Sequence, residues 1–255
     1  MGNNKTEPEP DPYPSLYHRH HSLNQRDLRF WRELAQEQGD PILELGCGTG
    51  RVLVHLARAG FRTYGLDIHL EMVSFLQKNL PEGLEHPPQI FLADMSAFKL
   101  ATCFSLILLP CNTFSTLSAS MRINTLDNVV RHLKKGGQFT FSIPNPTVLL
   151  RMPVQGESEV EDIFAHPVDG EPVQVSSAWE RTDEVFHLRW HYDHLYPNGT
   201  IQRHSVEVSH RIVPIDIYME EIQAAGLNIQ SIYGDFDKAP YNNRSSSFIL
   251  TSILP

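Results

Sequence analysis

Three glycines within five residues, in the run ILELGCGTGRVLVHLA over Ile42–Ala57, mark the segment best suited to chemistry. Gly46, Gly48 and Gly50 follow a short apolar run and precede one of helical period, so the order is strand, loop, helix. A loop of this kind lets backbone approach a ligand closely and adopt positive φ. The helix behind it turns its N-terminal N–H groups toward an anionic group. A nicotinamide-dinucleotide loop is the rival reading, but it needs G-x-G-x-x-G, and here the third glycine of GCGTG follows after one residue. Glu44 also sits inside the strand. Further acids stand where the next two strand-like runs end: Asp67 in TYGLDIHLEM, seventeen residues after Gly50, and Asp94 in FLADMSAF. Landmarks on three successive strand ends converge at the carboxyl edge of a parallel sheet, where open α/β folds bind ligands.

The elements that must hold these residues alternate in period. Strands are expected over Pro41–Leu45, Arg62–Leu66, Gln89–Leu92, Phe104–Leu109 and Gln138–Ile143. Helices are expected over Asn24–Gln38, Arg51–Ala59, Leu70–Leu80 and Met121–Leu133, the last closed by Lys134, Lys135 and a Gly136-Gly137 stop. This pattern predicts a parallel sheet covered on both faces. It then breaks. Val173–Trp179, Val185–Tyr192 and Ile201–Ile212 alternate and are joined by turn residues, which reads as an antiparallel meander inserted after the fifth strand. A helix over Ile215–Ala225 and strands over Leu227–Tyr233 and Phe248–Ile253 return the chain to the first domain.

The 255 residues carry a formal net charge of -9, with no apolar run long enough for a membrane span and no hydrophobic leader. The charge is uneven: residues 1–40 carry -2, 41–150 carry +2, 151–213 carry -6 and 214–255 carry -3. That balance disfavours a nucleic-acid partner. Most of the excess acid falls in the insertion, where Glu157, Glu159, Glu161, Asp162, Asp169 and Glu171 read as a solvated loop or as an acidic rim favouring cationic substrates. Cys47, Cys103 and Cys111 form no CxxC pair, so a reducing cytoplasm is the expected compartment.

ELGCGTG resembles the S-adenosylmethionine loop of class I methyltransferases, and Asp67 and Asp94 fall where that family has its next two landmarks. The resemblance runs from about Leu16 to the C-terminus and includes HLKKGGQFTFSIPNP (His132–Pro146) and AAGLNIQSIYGDFD (Ala224–Asp237). It is strongest toward small-molecule methyltransferases, including sugar-amine N-methyltransferases, that carry a β-meander lid. It implies a Rossmann-like seven-stranded, mostly parallel sheet with helices on both faces plus the inserted meander. The implied organisation is a disordered leader over 1–14, a lid helix and cofactor-binding core over 15–150, a lid over 151–213, and a return to the core over 214–255. The implied cofactor is S-adenosyl-L-methionine. Its implied wall is Glu44, Gly46, Cys47, Gly48, Gly50, Asp67 for the ribose hydroxyls, Ile68 and Met72 flanking the adenine, Asp94 and Met95 on the adenine, and Asn112. Tyr17, in a lid segment before the first helix, is expected to approach cofactor or acceptor. The implied reaction is in-line transfer of a methyl group to a nitrogen or oxygen of a small molecule, by a monomer or homodimer. A non-catalytic S-adenosylmethionine-binding protein is the alternative.

Two features are decoys on this reading. Pro110-Cys111 stands where cytosine-C5 methyltransferases hold a nucleophilic thiolate, but the acidic insertion suits no nucleic acid. The thirteen histidines invite a metal, yet His18, His20 and His21 are adjacent in a surface-like segment, and His194 has opposite strand parity to His187 and His191; no metal site is expected. His191 is a candidate base, with His194 and His204 behind it.

Overall fold

The computed structural model describes residues 11–23 and 25–255. Its core sheet contains β1 (Ile42–Leu45), β2 (Thr63–Asp67), β3 (Gln89–Leu92), β4 (Phe104–Leu109), β5 (Leu133–Pro144), β10 (Asn228–Tyr233) and β11 (Ser247–Ile253), in the order β10-β11-β5-β4-β1-β2-β3. Strands β5, β4, β1, β2 and β3 pair in parallel, while β11 runs antiparallel to both β5 and β10. The strand order reverses between β1 and β4, which opens a crevice at their carboxyl ends.

The central strands read as nearly unbroken apolar runs because both faces are covered. On one face Leu43, Leu45, Ile107, Leu109, Phe139 and Phe141 pack against Leu126 and Val129 of α5 (Ala119–His132) and Tyr218 and Ile222 of α7 (Ile215–Ala224). On the other, Ile42, Leu106, Leu108 and Ile249 meet Trp31 and Leu34 of α2 (Leu28–Gln38) and Val52 and Leu56 of α3 (Arg51–Arg58). Helix α4 (Leu70–Lys78) follows β2. No helix among the described residues is long and apolar enough to cross a membrane.

After α6 (Pro146–Arg151), the chain leaves for a four-stranded antiparallel sheet of β6 (Gln155–Ala165), β7 (Pro172–Arg181), β8 (Val185–Leu195) and β9 (Ile201–Arg211). Period-2 alternation splits it cleanly. Val173, Val175, Trp190, Tyr192 and His204 lie on the inner face, whereas the outer face carries the pairs Arg189–Glu207 and Arg203–Asp193.

Several expectations need correction. The acid-rich stretch after residue 154 is mostly strand β6, not a loop. It pairs with β7 alone, and charged side chains on such an edge oppose further strand pairing. Helix α1 (Tyr13–Ser22) starts inside the stretch expected as a disordered leader, of which residues 1–10 lie outside the described residues. Pro12 and Pro14 stand at its start, where a missing N–H costs nothing. The expected helix from Asn24 begins at Leu28. Finally, α5 ends at His132 and β5 begins at once, so Gly136-Gly137 is not a helix stop. A Cβ on Gly137 would stand 2.8 Å from the Lys134 carbonyl oxygen and 3.0 Å from that of Phe104. Glycine is therefore required by close backbone approach. Gly137→Ala is expected to lower unfolding free energy by about 1–3 kcal/mol, read from the urea midpoint; an unchanged midpoint would refute this packing account.

Candidate functional site

The loop leaving β1 turns through φ 68° at Gly46, 52° at Gly48 and 87° at Gly50, a left-handed path that suits glycine. The three have different surroundings. A Cβ on Gly50 would strike Leu76 Cδ1, and one on Gly46 would touch Met95 and Thr113, but one on Gly48 would meet nothing within 4 Å. Gly50 thus lets α4 pack close, whereas Gly48 borders open space. The Gly48 N–H donates to Asp67 Oδ2 at 2.8 Å, and the His69 N–H donates to Oδ1 at 2.9 Å. This fixes the carboxylate at the tip of β2 and leaves each oxygen a further lone pair.

Around the cleft stand the other expected residues. Met72 is buried on α4, and Ile68 is 58% exposed, as an apolar flank open to a ligand would be. Asp94, two residues past β3, accepts from the Ser96 N–H at 2.7 Å, and the Met95 side chain covers Gly46. Cys47 is buried against Leu53 and Leu76 and contributes backbone. Glu44 lies beneath the loop, 2% exposed, with Oε2 lacking any partner. Burial pushes its carboxyl well above the usual range, against the pull of Arg51. A buried carboxyl oxygen without a partner and an open cradle at Gly48 together fit a ligand with cationic and hydroxyl groups.

At the end of β4, Cys111 and Asn112 both hold positive φ, 59° and 63°. Two successive non-glycine residues in this region cost energy, and such strain clusters at functional sites. Cys111 Sγ lies 3.2 Å from Arg51 Nη2. Its surroundings are dense, yet it presents accessible surface, so that surface lines an internal cleft. Burial raises its pKa more than Arg51 lowers it. That direction favours the thiol over the thiolate and counts against the nucleophilic reading.

Helix α1 roofs this cleft. His18 Nδ1 is 3.1 Å from Thr49 Oγ1 of the loop, and Leu16 packs with Val173, Val175 and Tyr192 of the inserted sheet. Tyr17 therefore faces Cys111 and Arg51, and burial pushes its phenol well above the ordinary value. Its ring centroid is 4.0 Å from that of His21, which in turn lies 5.1 Å from Trp190. Burial, with His20 and Arg51 adding to it, lowers the His21 pKa to about 3, so the ring is neutral. His20 Nδ1 is 3.2 Å from the Tyr192 hydroxyl.

The structure thus brings Tyr17, Glu44, the loop, Asp67, Ile68, Met72, Asp94, Met95 and Asn112 around one crevice. It does not bring His191 there. That ring bonds Ser205 Oγ at 2.7 Å on the outer face of β8, because its parity is opposite to that of Trp190 and Tyr192. His204 lies on the inner face, stacked on Tyr13. His194 is drawn to His166 and Asp169, a convergence that strand parity alone misses. Sequence reasoning also overlooked Arg51 and Asp27, paired at 2.5 and 2.7 Å, and read the α1 histidines as surface residues, although the three- and four-residue spacing of His20 and His21 from Tyr17 marks a helix face.

Residues 42–137 match the family model for a methyltransferase domain. The candidate methyltransferase YqeM of Bacillus subtilis (strain 168) is 23% identical over 212 residues, covering 81% of each chain. Among solved structures, an S-adenosylmethionine-dependent methyltransferase from Clostridium acetobutylicum ATCC 824 superposes with TM-score 0.80 at 18% identity, over 96% of this chain and 99% of that one. The sugar N-methyltransferase KedS8 from Streptoalloteichus sp ATCC 53650 gives 0.74 at 19% identity, over 98% and 96%.

The neutral imidazole of His21 sets a pH dependence. The unfolded chain takes a proton on this ring near pH 6.5, whereas the folded chain takes it only near 3. Stability from this group is complete above the unfolded value and declines as pH falls between the two, by about 1.4 kcal/mol per pH unit. His21→Phe is expected to flatten denaturation free energy against pH by one proton's worth in that window. An unaltered slope would refute the burial.

Proposed function

We propose that this chain, an S-adenosylmethionine-dependent methyltransferase with its methyltransferase domain at residues 42–137, methylates a nitrogen or oxygen of a small molecule. We place the acceptor between α1 and the inner face of the inserted sheet. The observation that carries this reading is the approach of α1 to the glycine loop, His18 to Thr49 at 3.1 Å, with Tyr17 near Cys111 and both Tyr17 and His21 near Arg51.

The cofactor supplies a sulfonium methyl that is already activated, so the protein's work is to align an acceptor lone pair and exclude water. In this assignment the loop backbone at Gly46, Cys47, Gly48 and Gly50 lies against the cofactor. Asp67 accepts from the ribose hydroxyls on the lone pairs that Gly48 and His69 leave free. Asp94 and the Met95 N–H meet the adenine, with Ile68 and Met72 on its faces, and Glu44 and Asn112 complete the wall. Tyr17, kept protonated, donates a hydrogen bond toward the acceptor side. His21, kept neutral, accepts one from an acceptor N–H or O–H. His191 has no part in it.

An amine is the acceptor favoured here. The solved structure of KedS8 is described as a sugar N-methyltransferase, and Glu161 of β6 stands 3.9 Å from His20, bringing an acid to the roof. Three free cysteines and the overall negative charge support a cytoplasmic enzyme without a nucleic-acid partner.

Calorimetry is expected to show binding of S-adenosylhomocysteine and no response to NADH. Asp67→Ala is expected to weaken that binding by more than ~10-fold, from a lost hydrogen bond worth about 1–2 kcal/mol plus desolvation; full retention would refute the ribose assignment. A labelled-methyl screen over amines, sugars, phenols and thiols identifies the acceptor, and amines are expected to label first. Tyr17→Phe is expected to slow transfer at unchanged S-adenosylhomocysteine affinity. Binding with no labelled product from any class would instead support a non-catalytic cofactor-binding protein.

A further inference from the structure

Two residues beyond Tyr192 on the same face of β8, His194 meets the turn between β6 and β7. Its ring stacks on that of His166, with centroids 4.0 Å apart and planes at 19°. Asp169 closes the group, with Oδ1 3.0 Å from His166 Nδ1 and Oδ2 3.2 Å from His194 Nε2. The three donor atoms lie within 4.8 Å of one another. His194 is only 7% exposed, and its Nε2 is buried without a hydrogen bond. The carboxylate is near enough for attraction but does not meet the ring N–H in line. A buried imidazole nitrogen therefore points into the cluster with its bonding capacity unspent.

The cluster is braced as ligands usually are. The Glu171 N–H donates to Asp169 Oδ1 at 3.1 Å, and the His166 and Gly170 N–H groups close the turn on Glu171 O and His166 O at 2.7 and 3.0 Å. On the other side, His194 is held in register opposite Val173.

We propose that His166, Asp169 and His194 form a site for a divalent transition-metal ion of the zinc type. Two imidazoles with one carboxylate suit zinc and its neighbours, whereas magnesium and calcium take oxygen donors. Three protein ligands leave a fourth position to water. Zinc–nitrogen bonds of about 2.0–2.1 Å require both rings to turn out of their stack toward one ion. The bound ion ties the β6–β7 turn to β8 and stiffens the end of the sheet on which α1 rests.

Calorimetric titration of the chelator-treated full chain with zinc chloride is expected to show one saturable equivalent and a raised thermal midpoint, with magnesium chloride giving neither. Asp169→Asn, a near-isosteric change at a turn, is expected to weaken zinc at least about ten-fold, the loss that even an outer-shell change causes. His194→Gln is expected to do at least as much. S-adenosylhomocysteine binding and circular dichroism check that each variant folds; if His194→Gln fails that check, Asp169→Asn decides. No saturable zinc binding, magnesium bound as well as zinc, or undiminished zinc affinity in Asp169→Asn would overturn the proposal.

Discussion

One buried ion pair holds the crevice together. Arg51 is the first residue of α3, directly after the glycine loop, and its guanidinium grips Asp27 through two nitrogens while reaching Cys111 at the end of β4. Asp27 also accepts from Trp31 Nε1 at 2.9 Å. Burial works to raise the Asp27 pKa, but these donors outweigh it and hold the carboxyl below the usual range. Desolvating both charges costs several kcal/mol, which a two-pronged geometry offsets but seldom exceeds. The return is positional. The approach to α2, the start of α3 and the end of β4 are fixed to one another at the point where the loop opens.

Much of this was legible in the sequence, for a physical reason. The core strands and glycine loop are local features: unbroken apolar runs mean burial on both faces, and glycines between a strand and a helix mean a tight turn with free backbone. Asp67 and Asp94 could be placed because strand ends in a parallel sheet share an edge. The family resemblance then named the cofactor, which spacing alone did not. What was missed depends on long-range packing. His20 and His21 of α1 look like surface residues until the inserted sheet, 172 residues from His20 at Tyr192, covers them. Beside Pro12 and Pro14, composition argued for disorder, while docking of Leu16 and Tyr13 favours helix. His191 failed because its parity could be counted but not which parity faces inward.

The insertion divides its labour by face. Its inner side is apolar and aromatic and meets α1; its outer side is a lattice of crossed charges such as Arg189–Glu207 and Arg203–Asp193. These outer pairs are partly open to solvent and contribute little to stability. The excess acid lies mainly on the β6 edge and in the turns. That charge stands beside the roof, whereas the glycine-loop crevice lies in the one segment with a positive balance.

The roof helix is made before the sheet that seats it. Emerging from the ribosome ahead of every core strand, α1 can meet Thr49 and Phe75 through His18 once α3 and α4 have formed, but Leu16 and Tyr13 have no partners outside the helix until the inserted sheet has been synthesised and paired. A helix of ten residues is marginal alone in water, so until the inserted sheet forms its aromatic face is without shelter. The crevice can thus complete only after β9 has paired, and contacts this distant in sequence slow assembly. A nascent chain stalled before β9 would present a finished glycine loop beneath an open top.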